Sequence, residues 1–518
     1  MLNEFIMPSS EIFTKQHRDT IIISSLIAAV GFFDFGIFLY LSERLLHIFF
    51  GDTQHMWLAR LQLFGLFAAG YVARPLGGLV IGRYGDVRGR KPALMISLCG
   101  LGLMTLLMAF LPQYGQVGIL APVLFVIVRV VQSIAIGGIM PSIWVYVTEH
   151  LPTRHLGIGC GAILAGCMSG LLVLMPLVDW LDHTLSYEQM IAYGWRIPFL
   201  VGGVLSIALL MKIRTTVTET PIFLESQHSR SSADEDQSMI GALGLSGLDD
   251  KQEAVLDRIS HSKQQTELPD LINTLPLQTP NSDTHSVPPK ISGIDQTTVT
   301  PMMRLANAVL NFGKSSLSLL RLIISRNMLA SIIPATLLIS VVVSLLLFTP
   351  VLLTPLIDIN FALSHEMLWR SNLITIFFMA IGCLLFGFFV DRANPGLVLT
   401  FGSLFLVMVT ALLFNHLRAG GDYFLVLFAL TGLASGIIGA IPSVVVRLFS
   451  VRIRMTSIGI IHNLVVAVIG GFLPFTLGTA TMHLSFAPAI FIAILSLMTM
   501  FMSFYIYYIP RTDFDLHR

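Results

Sequence analysis

The sequence has little charge. Asp, Glu, Lys and Arg make up 12% of its 518 residues, whereas soluble domains carry about 25%. Hydrophobic residues account for 54% of the chain, and a soluble core could not bury that share without leaving large apolar patches in water. Large soluble domains are therefore excluded. With a net charge of +1 and no basic stripe outside the loops, no nucleic-acid partner is expected.

Cysteine is also scarce, and the signatures of common enzymes are absent. The four cysteines lie inside apolar runs at spacings that fit no metal site, so we interpret them as small hydrophobic residues. The sequence contains no HExxH, no GxSxG and no ATP-binding loop. We therefore expect no catalytic residues, no metal site and no cofactor. The first twenty residues are polar and lack a small-residue cleavage site, so no cleavable signal peptide is expected.

Long apolar runs predict an all-α integral membrane protein. A helix needs about 20 apolar residues to cross a bilayer core of about 30 Å. The predicted spans are 20–42, 57–82, 92–112, 118–147, 157–179, 194–212, 328–351, 367–390, 396–416, 423–446, 457–481 and 485–509. This gives an N-terminal segment 1–19, a first six-helix bundle 20–212, a central loop 213–327, a second bundle 328–509 and a tail 510–518.

Lysine and arginine are concentrated in alternate links. Among the short links between spans, those after spans 2, 4, 8 and 10 carry most of the lysines and arginines. The links between spans 3 and 4 and between spans 11 and 12 carry none. Arg44, Arg60, Arg370 and Arg418 are exceptions. The positive-inside rule then predicts that both termini and the central loop are cytoplasmic.

The two halves carry matching charged links. Gly82 and Asp86 follow span 2 in the same spacing as Gly387 and Asp391 follow span 8. A second match relates the links after spans 4 and 10, with signs partly exchanged. The pattern favours a duplicated unit whose halves face each other across a central pathway, although basic links are common enough for coincidence to be the alternative.

The motifs resemble one family closely. The segment GRYGDVRGRKP, 82–92, is similar to the signature loop of the major facilitator superfamily, and the preceding ARPLGGLVIG resembles its metabolite:proton symporter group. That group includes proline/betaine, α-ketoglutarate, citrate and shikimate permeases. FFDFGIF, RVVQS, GWRIPF and ETP support the similarity. The resemblance implies two helical bundles that rock around a substrate site near mid-membrane, and symport of a small metabolite with protons.

The 82–92 segment is predicted to act as a conformational latch. Asp86 could meet the positive N-terminal end of span 11 near Thr456, or pair with a nearby arginine, and Asp391 would do the same against span 5. The latch candidates are Gly82, Gly85, Asp86, Gly89, Arg90, Lys91, Glu149, Arg154, Asp391, Arg392, Arg452 and Arg454. The alternative is a basic cluster that only holds the loop inside the cell.

Three ionisable residues lie at bilayer depth in the first half. Because burying a charged group in the membrane is costly, such residues are functional candidates by default. Asp34 beside an exchangeable arginine could titrate as the pathway opens, or it could form a permanent pair that ties spans together. Arg129 with Gln132 belongs to a pattern that the resemblance links to proton transfer. Arg74 could bind a substrate carboxylate bidentately, or brace the bend at 75–78 through the backbone.

Two further polar residues lie early in span 11. Asn463 matches a polar position common in the family, and His462 could sense protons or be an ordinary core histidine.

The sequence also departs from the family pattern. The resemblance leads one to expect glutamate at position 31 and after Gly137-Gly138, where this chain has Gly31 and Ile139, and an acid where it has Arg447. Either Asp34 alone carries the proton, or coupling has been lost. The change favours an anionic or zwitterionic substrate.

The central loop is polar and acidic. Residues 225–300 contain twelve acidic and five basic residues, which predicts disorder. Residues 302–323 place apolar side chains on one helical face, which suits a helix on the membrane surface or one packed on the bundle. The loop could recruit a regulator or merely join the halves.

The sequence therefore predicts a multi-pass protein of the cell inner membrane that acts as a monomeric proton-linked transporter of an organic acid, amino acid or betaine. Its partners would be that substrate, protons and lipid. An uncoupled facilitator or exporter is the alternative, and a transporter-derived sensor is a more remote one.

Overall fold

The computed structural model describes residues 13–51, 56–228, 326–361 and 363–508. In this part of the chain the regular structure is helical, with no β-strand. The main helices are α1 Lys15–Tyr40, α2 Met56–Arg88, α3 Arg90–Ala109, α4 Leu120–His150, α5 Leu156–Thr184, α6 Arg196–Thr216, α7 Arg326–Leu347, α8 His365–Arg392, α9 Pro395–Ala419, α10 Phe424–Ser435, α11 Arg454–His483 and α12 Ala487–Tyr508. The predicted helix at 302–323 lies outside the described residues.

Eleven helical stretches among the described residues are long and apolar enough to cross a membrane, and α2, with 33 residues, is the remaining long helix. Helices suit this environment because each satisfies its own backbone hydrogen bonds where no water is present. Short elements connect them: Ser42–Phe50, Tyr114–Val117, Thr153–His155, Tyr187–Gln189 and Met190–Gly194. The predicted all-α membrane fold is confirmed.

Two helices of the second half are interrupted rather than ended. After α7 the chain forms a π-helical turn at Phe348–Leu352 and continues as a helix over Leu353–Phe361. Pro350 in that turn has no N–H to donate, so the regular ladder cannot pass through it. After α10 the chain forms 3₁₀ turns at Gly436–Ala440 and Val446–Leu448 around a short helix at Ile441–Val445. Span 7 thus extends ten residues beyond its predicted end.

The link between α2 and α3 is a single residue. The sequence pattern ends span 2 at residue 82, but α2 continues to Arg88 and α3 begins at Arg90. Gly89 between them has φ +118°, a conformation that L side chains rarely adopt. A helix can therefore stop and restart within one residue only because glycine stands here. We call the end of the bundle that carries residues 83–91 the hinge end.

The two six-helix halves meet along two pairs of helices through small residues. On α2 and α11, a Cβ added to Gly459 would lie 2.5 Å from the Gly78 carbonyl oxygen. On α5 and α8, a Cβ added to Gly157 would collide with the Gly387 carbonyl oxygen. Glycine permits this approach because it has no side chain, and close backbone packing of this kind is typical of membrane helices.

We predict that Gly459→Ala destabilises this packing. The added methyl group must displace the α2 backbone, and overpacking of this kind costs about 1–3 kcal/mol. The melting temperature of the purified protein in detergent should fall by several degrees. Gly471→Ala on the same helix is the matched control, because its Cβ would meet nothing within 4 Å. Equal melting temperatures for the two variants would contradict the close contact.

Candidate functional site

A cavity lies between the two halves. It contains about 760 Å³ of space that no protein atom fills, part of which is open to the outside. Helices α1, α2 and α4 of the first half and α7 and α11 of the second contribute its walls. Most of the lining side chains are apolar, and the polar ones are Tyr71, Arg74, His462 and Asn463.

Both positions at which the resemblance leads one to expect glutamate lie on the wall of this cavity. Gly31 of α1 and Ile139 of α4 are among its lining residues. A Cβ at Gly31 would meet nothing within 4 Å, so space for a side chain exists there and is left open. None of the described residues that line the cavity is acidic, and this part of the wall therefore carries positive charge only.

The cation in that wall is Arg74. Its guanidinium lies 5.2 Å from the centre of the Tyr71 ring, one turn earlier on α2. Among the described residues no oxygen accepts a hydrogen bond from it, and its Nε is buried without a partner. The alternative role, bracing the backbone bend at 75–78, finds no hydrogen bond in this arrangement.

Asp34 does not line the cavity but lies inside the first half. Thr105 Oγ1 of α3 and Gln132 Nε2 of α4 donate to its Oδ1 at 2.6 and 2.9 Å. Arg129 Nη1 stands 4.0 Å from the second oxygen, Oδ2, which accepts no hydrogen bond from the described residues. Asp34 is 1% exposed, so a carboxyl group with one hydrogen-bonded oxygen and one unpartnered oxygen is held away from water.

Arg129 is positioned by more than this carboxylate. Its Nη1 donates to Gln132 Oε1 at 2.8 Å, and its guanidinium lies 3.4 Å from the centre of the Phe38 ring. The aromatic face and the amide therefore hold the arginine near Asp34 without a direct hydrogen bond to it. Asp34, Arg129 and Gln132 are thus brought together, with Thr105 as a partner that the sequence pattern did not indicate.

The two polar residues of α11 reach across to the first half. Asn463 Nδ2 donates to the Gly137 carbonyl oxygen of α4 at 2.7 Å and to Gly459 of its own helix. The His462 ring lies edge-on to Trp144 with centroids 5.3 Å apart. His462 is buried beside the cavity, and its Nδ1 has no hydrogen-bond partner among the described residues.

At the hinge end, Asp86 caps a helix of the opposite half. It accepts hydrogen bonds from the backbone N–H groups of Met455 and Thr456, at 3.1 and 2.8 Å, in the first turn of α11. The Thr456 hydroxyl donates to it at 2.6 Å. A carboxylate in this position satisfies N–H groups that have no partner within the helix and faces the positive end of its dipole.

A buried ion cluster adjoins this cap and crosses between the halves. Arg90 of α3 is fully buried and donates to both oxygens of Glu149 on α4, at 3.0 and 3.1 Å. Arg454 of α11 donates to the same carboxylate at 3.0 Å, and Arg90 also donates to the Val451 carbonyl oxygen at 2.7 Å. Asp86 stands 3.6 Å from Arg90. Removing one partner of such a cluster costs about 3–5 kcal/mol because a buried charge is left alone.

Glu219, which follows α6, completes the cluster and was missed as a latch residue. Its carboxylate accepts hydrogen bonds from the backbone N–H groups of Arg90 and Lys91, at 3.0 and 3.1 Å, and so caps α3. A Cβ at Gly89 would collide with this carboxylate. The sequence did contain an indication of its importance, because Glu219 is the first residue of the ETP motif on which the family resemblance partly rests.

The second half provides a simpler version of the same cap. Asp391 of α8 accepts hydrogen bonds from the backbone N–H groups of Gly157 and Ile158, at 2.6 and 2.9 Å, in the first turn of α5. Arg392 beside it instead lies over the Phe388 ring of its own helix. Both caps follow a glycine by four residues, as the predicted repeat requires, but the described residues show a buried arginine–glutamate cluster only at the first.

The remaining latch candidates divide in two. A Cβ on Gly82 or Gly85 would press on Thr456 or Met455, so both glycines lie in the α2–α11 contact. Lys91 contributes its backbone N–H to Glu219. Arg154 and Arg452 are exposed, and the described residues show no ion pair to either.

Most hydrogen bonds that the described residues make between the halves lie at the hinge end, which is therefore the sealed end.

Comparison with known proteins accounts for this architecture. The family model of the Major Facilitator Superfamily matches residues 21–474. The chain belongs to this superfamily. Membership confirms the predicted family and places the chain among multi-pass membrane transporters rather than enzymes.

Individual relatives match over part of their length. A protein named "Putative proline/betaine transporter" from Staphylococcus aureus is 32% identical over 210 residues, which is 40% of this chain and 45% of that protein. The inner membrane metabolite transport protein YhjE of Escherichia coli is 35% identical over 210 residues, or 40% of this chain and 47% of that protein. Each alignment thus covers less than half of the length of the relative.

Solved structures share the fold across the chain. The proton:xylose symporter XylE superimposes with a TM-score of 0.66 at 14% identity, covering 95% of this chain and 96% of that one. The human organic anion transporter MFSD10 superimposes with a TM-score of 0.57 at 14% identity, covering 95% and 100%. At this identity the likeness concerns the fold alone.

We predict that the two caps contribute unequally to the seal. Asp86→Asn should open the hinge end more than Asp391→Asn, because Asp86 also accepts a hydrogen bond from the Thr456 hydroxyl and stands 3.6 Å from the buried Arg90. The measurement is the distance between spin labels placed at the exposed positions 88 and 452, one in each half, with the exposed Cys99 replaced by serine. Asp86→Asn should populate a longer distance.

The control is Asp358→Asn, which removes an exposed carboxylate at the far end of the α7 span and should leave the distance distribution unchanged. Equal opening by Asp86→Asn and Asp391→Asn would contradict the unequal seal.

Proposed function

We propose that this protein is a secondary active transporter that moves a small polar metabolite across the membrane by alternating access, coupled to protons. The metabolite would be an organic acid, an amino acid or a betaine-like zwitterion. The observation that carries the proposal is a cavity between two halves whose hinge end is closed by contacts that can break. A rocking motion would separate Asp86 from α11 and Asp391 from α5, and open the cavity to the other side.

Each closing contact is strong enough to seal and weak enough to release. A carboxylate at a helix N-terminus contributes about 0.3–1 kcal/mol when exposed, and up to about 2 kcal/mol when partly buried. The summed free energy of the two caps is small enough that a solute can overcome it by binding the open state more tightly than the closed state. The Arg90–Glu149–Arg454 cluster adds to the closed state, since Arg454 leaves Glu149 when the halves part.

Proton coupling would depend on Asp34. Its burial and its unpartnered Oδ2 disfavour the ionised form, whereas Arg129 at 4.0 Å favours it. A small movement of α4 relative to α1 would change this balance and release or bind a proton. The alternative is a permanent Asp34–Arg129 pair that only ties α1 to α4.

An uncoupled facilitator is the second candidate, and one observation favours it. Asp34 is not among the lining residues of the cavity, and in the part of the chain that the structure describes no acidic side chain lines it. If the proton has no binding site in the solute pathway, solute could move without it.

Other features of the proposal follow from the sequence. The positive-inside rule supports cytoplasmic termini, so that the hinge end would face the cytoplasm and the described conformation would face outward. Function as a monomer, and a regulator that binds the central loop, also belong to the proposal.

We predict that Asp34→Asn abolishes accumulation driven by a pH gradient in proteoliposomes but retains solute exchange in counterflow. The amide cannot release a proton at this position, whereas the cavity and the seal are unchanged. The assay uses radiolabelled proline, glycine betaine, succinate and 3-phenylpropanoate, with and without an inward proton gradient. Asp358→Asn, at an exposed site, is the control and should behave like the wild type.

Accumulation by Asp34→Asn equal to that of the wild type would show that another group carries the proton. A wild type that exchanges solute but ignores the gradient would support the facilitator. Absence of exchange for every one of these solutes would overturn the transport proposal.

A further inference from the structure

We infer that the cavity between the halves binds an organic anion with one carboxylate and an apolar body, in preference to a zwitterion. The inference deepens the proposed function and rests on it. It depends on three features of the cavity: the charge of its walls, the state of Arg74 and the nature of the surface around it.

The charge of the walls has one sign. Among the described residues that line the cavity, Arg74 is the formal cation and none is a carboxylate. At position 31 the open space could hold an acidic side chain, but the residue is glycine, and at position 139 it is isoleucine. A solute that brings a positive group into this cavity would therefore find no ionic partner on the lining and would be repelled by the guanidinium.

Arg74 has no hydrogen-bond acceptor among the described residues, although its guanidinium lies over the Tyr71 ring. A guanidinium has five N–H donors in a planar fork that fits both oxygens of a carboxylate. Among the described residues, neither a hydrogen bond nor an ion pair occupies this fork, and the buried Nε is unpaired. An unpaired charge in an apolar site is costly, and a carboxylate that entered the cavity would relieve this cost.

Aromatic faces are the usual substitute for a carboxylate in binding an ammonium group, but they are poorly placed here. Arg74 itself lies over the Tyr71 ring at 5.2 Å, so a protein cation already uses that face. Phe32 and Phe35 pack against each other with centroids 5.8 Å apart and a tilt of 56°. These rings form a wall for an apolar group rather than a cage for a cation.

The remaining surface is suited to hydrocarbon. The apolar lining residues include Ile136 and Ile139 of α4, Leu346 and Leu347 of α7, and Val466 of α11. Polar contacts for a second hydrophilic end of a solute are few, because the Asn463 amide nitrogen already donates to two carbonyl oxygens. Tyr71 and His462 are the other uncharged polar residues of the lining, and the His462 Nδ1, which has no partner among the described residues, could donate to the same carboxylate as Arg74.

The test uses one molecular scaffold in three charge states. The ligands are 3-phenylpropanoate, its neutral amide, and phenylalanine, which is the same acid with an ammonium group added. Binding to the full-length protein in detergent is measured by calorimetry. We expect 3-phenylpropanoate to bind at least about tenfold more tightly than the amide or phenylalanine, because hydrogen bonds to charged groups are the strong ones.

Two variants connect that preference to the wall charge. Gly31→Glu should reduce binding of 3-phenylpropanoate at least about tenfold, because it places a carboxylate in the open space on the cavity wall. Gly31→Gln has the same size without the charge and should retain the preference. A loss of binding in both variants alike would mean that bulk, not charge, was responsible, and would contradict the inference.

The outcomes separate this inference from the proposed function. Phenylalanine or glycine betaine bound as tightly as 3-phenylpropanoate would overturn the anion site, whether or not either is transported. Binding of none of the three ligands would overturn it as well. Tight binding of 3-phenylpropanoate without counterflow of that acid, or of any other solute tested, would leave the anion site standing and remove the transport proposal.

Discussion

Glu149 holds the hinge end of this protein together. One buried carboxylate accepts hydrogen bonds from arginines of both halves, Arg90 and Arg454, and from the Thr220 hydroxyl at 2.8 Å. Since Arg90 and Glu149 have no exposed side-chain surface, neither can exchange its partner for water while the halves are in contact. The position of α11, the cap that Asp86 places on it and the closure of the cavity below all depend on this arrangement.

The charged groups that lie at bilayer depth in the first half face two different places. Asp34 and Arg129 lie among α1, α3 and α4 and face inward, whereas Arg74 faces the space between the halves. The first place is enclosed by one bundle and is sensitive to how its helices tilt. The second is shared with α11 of the other bundle. Helix α4 contributes residues to both places, Gln132 to the first and Ile139 to the second.

Much of the fold and part of the site could be predicted from the sequence. The length of the apolar runs determines the spans, and the spacing of Gly82–Asp86 and Gly387–Asp391 indicates which carboxylates lie at helix ends. The positive N-terminus of a helix attracts a carboxylate by a general physical rule, so the partners of Asp86 near Thr456 and of Asp391 on α5 could be proposed without coordinates. Their roles as a latch remain a prediction.

Other features could not be obtained in this way. Thr105 is one of many threonines in apolar runs, and only the packing of α3 against α1 brings its hydroxyl to Asp34. Nothing in a linear pattern states that residues 31 and 139, on different helices, share one cavity wall. The predicted end of span 2 was also six residues too early. Arg83, Asp86 and Arg88 have the composition of a polar loop, but in the structure they belong to the last turns of α2, and Gly89 alone forms the link.

That one-residue link restricts how the first half can move. Two long helices joined by a single glycine cannot slide past each other along their axes, and Glu219 fixes the beginning of the second helix from the side. In the proposed rocking motion the adjoining ends of α2 and α3 must therefore move together. Because displacement grows with distance from a pivot, a pivot deeper in the bundle would make Asp86, in the last turn of α2, travel farther than Arg74 three turns away. A rotation that barely disturbs the walls around a bound solute would carry the carboxylate well clear of the helix it caps.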